Sequence, residues 1–162
     1  MKYVVETDKS VDQAASALEA AVARHNFGVL HVYDLKQTLH GKGFDLPNEC
    51  RIYEVCNPAQ ALKVLSSDMD MNMALPCRIS VYQDGGKTRV GMVLPTALLS
   101  SLSQAEGLEE VAAFVEKETR AMIDEAWTQI RADMPYVPLH HQVTGSYLSA
   151  QTIAPYVANI GG

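Results

Sequence analysis

The run Cys50-Arg51-Ile52-Tyr53-Glu54-Val55-Cys56-Asn57-Pro58 decides how the chain is read. From Cys50 to Cys56 it holds β-branched and aromatic residues with no glycine or proline, the composition of a strand. Asn57 then suits a helix N-cap, Pro58 the first helical position, and Gln60 the place of a capping-box partner. A strand gives way to a helix at once, and Cys56 stands at the join. Free backbone N–H groups and the positive end of the helix dipole lie beside such a position, and both favour a thiolate over a thiol. The expectation is a reactive Cys56.

Toward the N-terminus, Lys2 to Glu6 reads as a strand, and Ser10 with Gln13 makes a capping box. The helix that follows sets Val11, Ala14, Ala15, Leu18, Ala21 and Val22 on one face, and Asn26 and Gly28 end it. Val29 to Asp34 is a second strand, with Leu30 and Val32 on one face and Val29, His31 and Tyr33 on the other. Asp34 caps a short helix to about His40, and Gly41-Lys42-Gly43 breaks it.

Toward the C-terminus, the helix from Pro58 runs to about Ser67, and Asp68 to Met73 is a connection without a clear period. Arg78–Gln83 and Lys87–Leu94 form a hairpin about Asp84-Gly85-Gly86. Thr96 to Ser101 allows a helical turn. Ser103-Gln104-Ala105-Glu106 is a capping box for the longest helix, which reaches about Asp133. Its stripe from Leu108 through Ile130 is long for one small sheet, which points to a partner subunit. The order β-α-β-α-β-α-β-β-α predicts an α+β domain over residues 1–133, its helices packed on one mixed or antiparallel sheet. Residues 134–162 read as an extended or partly ordered tail.

The 162 residues suit one domain with a real core, and 48% hydrophobic with 20% charged residues is ordinary for a globular protein. A net charge of -6, with the 13 basic residues scattered, argues against nucleic acid or anionic lipid as partner. No apolar run has the length of a membrane span and no signal-peptide pattern opens the chain. A cytoplasmic protein is the plain reading, with a removed leader as its alternative. Three cysteines are too few for a disulfide scaffold and read as free thiols.

With Glu54-Val55-Cys56-Asn57-Pro58, Leu75-Pro76-Cys77-Arg78-Ile79-Ser80-Val81-Tyr82 and Asp84-Gly85-Gly86-Lys87 on the page, the chain resembles a known family. It is similar to the bacterial and archaeal domain-of-unknown-function family numbered three hundred and two, sometimes called TT-like after a Thermus member. There a Cys-Asn-Pro element opens a helix, and a Leu-Pro-Cys element begins a strand that turns through Asp/Gly into another. The resemblance runs from about Lys2 to Pro95, and the long helix continues it in one subgroup. It implies a small α+β fold, commonly a homodimer, and implies no activity. The tail from Pro135, with His140-His141, departs from it.

Cys56 and Cys77 are the candidate catalytic residues. If their strands are neighbours, the two sulfurs meet near the helix N-terminus, where they can accept a sulfane sulfur, form a reversible disulfide or hold a soft metal. Glu54, Asn57 and Arg78 are the candidate binding residues around them. The plainer reading makes both cysteines small core hydrophobes. Met69, Met71 and Met73 precede Cys77 at alternate positions and, with its thiolate, form a soft donor set, although methionine also fills core gaps. His31, His140 and His141 are the further metal or haem candidates, with no Cys-x-x-Cys-His for covalent attachment. No nucleophile elbow, phosphate loop or dinucleotide fingerprint marks an enzyme. The expected function is a small dimeric binding or carrier module using Cys56 and Cys77 on sulfur, redox or soft-metal cargo. Two others stand beside it: a haem-binding protein with a His-ligated cofactor in an apolar groove, and an interaction module without chemistry.

Overall fold

In a computed structural model describing residues 1–103 and 105–132, the quoted run forms a strand and a helix as its composition predicts. The elements are β1 (Lys2–Thr7), α1 (Val11–Arg24), β2 (Gly28–Asp34), α2 (Leu35–His40), β3 (Cys50–Cys56), α3 (Pro58–Ser67), a 3-10 helix (Met69–Ala74), β4 (Cys77–Asp84), β5 (Lys87–Val93), α4 (Pro95–Leu102) and α5 (Leu108–Ala132). The strands make one sheet in the order β1-β5-β4-β3-β2, and every neighbouring pair is antiparallel. The fold is α+β. The expected tail, 134–162, with His140 and His141, lies outside the described residues.

Side chains alternate across this sheet. Tyr53 and Val55, Ile79 and Val81, and Val90 and Met92 therefore share one face and are buried there. The apolar stripe of α1 and the Val115, Met122, Ile123 and Ala126 positions of α5 pack into the same core. A second cluster joins Val64 of α3, Met71 of the 3-10 helix, Leu99 of α4, and Leu108 and Ala112 of α5. From Leu108 to Ala126 the α5 stripe thus serves the chain's own two cores, so its length does not require a partner subunit.

Local rules explain most boundaries. Ser10 and Gln13 make the reciprocal capping box on α1, and Asp34 Oδ1 accepts the Gln37 N–H at 2.9 Å on α2. Asn26 takes φ 59° after α1, and the Phe27 N–H reaches back to the Val22 carbonyl at 3.1 Å, closing the helix in a Schellman-type turn.

Three expectations are corrected. In β2 a bulge at Leu30 puts Val29 and Val32 opposite Val55 and Tyr53, so these two valines share a face and Leu30 leaves the alternation. Asp68 to Met73 is not an irregular connection: Asp68 caps a 3-10 helix by accepting the Asp70 N–H at 3.0 Å. The long helix opens at Leu108, not at Ser103, because Gly107 sits at φ 83° and Ser103 closes the full helix α4.

Candidate functional site

β3 and β4 bring the two candidate cysteines to one end of the sheet. Val55 pairs with Cys77, so Cys56, the next residue of β3, leaves the sheet at the same end where Cys77 opens β4. Asn57 then starts α3 by accepting the Gln60 N–H on Oδ1 at 3.2 Å, while its Nδ2 donates to the Asn26 carbonyl at 3.2 Å. That second bond ties the α3 N-terminus to the end of α1.

Above this junction is a cavity of about 320 Å³. Its floor is Val55, Cys56, Cys77 and Met92 from the sheet. Its walls come from Gln60, Ala61 and Val64 of α3, Leu98, Leu99 and Leu102 of α4, and Val111 and Val115 of α5. Met73 stands at its mouth, strongly exposed, and Arg78 is also part of the lining. The space is mostly apolar with a few polar and sulfur-bearing groups, the usual make-up of a small-ligand site.

The thiols there are free and partly buried. Burial pushes the Cys77 thiol up to about 11, and the neighbouring Cys56 adds to the effect by repelling a second negative charge. Cys56 therefore lies near enough for its charge to be felt at Cys77. Burial also raises Cys56 above its ordinary value, opposite in direction to the shift expected from its place before a helix. Loss of solvation acts on both thiols in the direction that favours the protonated form. Cys50 at the other end of β3 is raised too, by burial and then by Asp34.

The other sequence candidates divide. Asn57, Arg78 and Met73 belong to the cavity. Glu54 is cross-strand from Arg78 and holds its guanidinium at 3.2 Å without lining the cavity itself. Met71 is buried in the second core, and Met69 is exposed, so the methionine trio does not act as a set. His31 lies on the edge strand β2, exposed and edge-on to Tyr33 at 4.4 Å between ring centres. No described histidine lines the cavity.

The Domain of unknown function DUF302 family matches residues 3–126. The chain belongs to that family. Among solved structures, the crystal structure of an uncharacterized conserved DUF302 protein from Bacillus stearothermophilus is similar at 34% identity and a TM-score of 0.73. The similarity covers 77% of this chain and 97% of that one. No curated protein matches the chain. DUF302 membership thus carries the fold and leaves the activity to the chemistry of the site.

Sequence reasoning missed Met92 and the α4 wall. Met92 reads in sequence as one more inward residue of β5, and α4 as a turn, because Pro95 hides a helix start that lacks a polar N-cap. Its cap comes from far along the chain. Glu116 of α5 accepts the Thr96 N–H at 3.2 Å and the Thr96 hydroxyl, and Arg120 holds the same carboxylate at 3.0 Å. Among the described residues no helix is long and apolar enough to cross a membrane.

Proposed function

We propose that this DUF302 chain is a binding or carrier module for a small, soft, thiol-seeking cargo, held in the apolar cavity by Cys56 and Cys77. The observation that carries the reading is that both cysteines are among the residues lining one cavity, next to the N-terminus of α3. Two cysteines in an apolar space suit coordination of such a cargo, because a thiol is a good soft donor once its proton is displaced. Asn57 and Arg78 are polar residues of the same lining.

A trivalent arsenical tests this. Phenylarsine oxide condenses with two thiols of one site, forming two As–S bonds and releasing one water. One equivalent is expected to bind wild-type and Cys50→Ser protein tightly and to leave Cys56→Ser and Cys77→Ser unbridged, read by intact mass. Bridging that survives both of those substitutions, or needs Cys50, sinks the reading.

A further inference from the structure

The cavity holds more sulfur than its two thiols. Met92 contributes a thioether from the floor, where it is nearly buried, and Met73 contributes another from the mouth. Four sulfur-bearing residues therefore line one apolar space of about 320 Å³. Met92 pairs with Ile79, two residues along β4 from Cys77 and on the same face, a diagonal that a long side chain spans. Met73 carries 74% of its full exposure although it is apolar, and no packing role accounts for it.

We infer that this sulfur-lined cavity binds one copper(I) ion through Cys56 and Cys77, with a thioether from Met73 or Met92 as the further donor. The inference rests on the thiol-pair reading above and names its cargo. Ligand type decides the metal. Thiolates and thioethers select copper(I), whereas zinc in a structural site needs four donors of nitrogen, sulfur or oxygen. Among the described residues no group of three or more His, Cys, Asp or Glu is placed to hold a metal, so a harder or borderline ion finds no ligand set. A soft monovalent ion is satisfied by roughly two or three sulfurs.

The charges also balance. One copper(I) ion displaces both thiol protons to solvent, and no oxidation state changes. The resulting dithiolate unit carries a single negative charge. The N-terminus of α3 lies beside the cavity, so its positive end meets the charge that binding creates.

The test is anaerobic competition of the reduced full chain against bicinchoninate for copper(I). Wild-type and Cys50→Ser protein are expected to withdraw one equivalent, and Cys56→Ser and Cys77→Ser to withdraw none. Met73→Leu or Met92→Leu should weaken binding by about tenfold, while Met69→Leu changes nothing. Met73 is exposed, so its substitution leaves the fold intact and keeps the test valid if a cysteine variant is unstable. Failure to withdraw copper(I), retention in both cysteine variants, or indifference to both methionine substitutions overturns the inference. If phenylarsine oxide still bridges the thiols while copper(I) is not bound, the thiol pair stands and the metal falls. If neither binds, both fall.

Discussion

Cys77 sets what the site does at the level of single residues. Its thiol, pushed up to about 11 mainly by burial, stays protonated through neutral pH, and Cys56 is shifted the same way. Alkylation by iodoacetamide is therefore expected to be slow at both, slowest at Cys77, with Cys56 showing no advantage over Cys50 below neutral pH. Peptide mass mapping over time measures this; early labelling of Cys56 in acid would mean a depressed thiol after all. The same shift has a stability consequence. A raised folded value contributes stability that is full below the unfolded thiol value of 9.0 and lost as pH rises through about 11. Urea midpoints should fall across that alkaline window, and less so in Cys77→Ala. The position of Cys56 before a helix was legible in the sequence, since capping residues are local. Its titration was not, because burial is set by tertiary packing that no local pattern announces.

At the scale of elements, the helix starts facing the site differ in how they are held. Asn57 caps α3 from within and also grips the end of α1 through Asn26. Asn57→Ala is expected to lower stability by about 1 kcal/mol in urea unfolding, the usual cost of a lost N-cap. No change in midpoint would show that the cap is dispensable. Helix α4 depends instead on Glu116. Burial alone would raise this carboxyl, but the bonds from Thr96 and Arg120 outweigh it, and the net shift is downward. A lowered folded value gives stability that is full above the ordinary glutamate value of 4.5 and lost as pH falls through the folded one. Glu116→Gln should flatten that acid limb, and an unchanged acid profile would remove Glu116 from the account. Asn57 announces itself by its neighbours Pro58 and Gln60. Glu116 lies 20 residues from Thr96, so nothing in the sequence near Pro95 signals that cap. Gly107 shows the opposite failure: a good capping sequence at Ser103 was overridden by a glycine four positions later.

For the whole molecule, alternation within each strand was enough to give the α+β class, whereas strand order depends on which edges meet across long separations. β1 and β5 pair over six positions, and at Gly91 they approach too closely for a side chain. A Cβ there would lie 2.8 Å from the Tyr3 carbonyl oxygen and 2.8 Å from Val4 Cγ2. Gly91→Ala is expected to cost about 1–3 kcal/mol by overpacking and to speed amide exchange along β1; unchanged exchange there would contradict it. The cavity exists only at this scale. β3 and β4 supply the cysteines, while α3, α4 and α5 supply the apolar walls, so no single stretch of sequence contains it. The most direct measurement is cross-linking with dibromobimane, which fluoresces strongly only after both of its arms have taken a thiol, followed by peptide mapping. Fluorescence in wild-type and Cys50→Ser protein, with Cys56 and Cys77 joined in one bridged peptide pair, is the predicted result. A protein that stays dark while its thiols remain alkylatable, or a bridge that uses Cys50, would contradict the account.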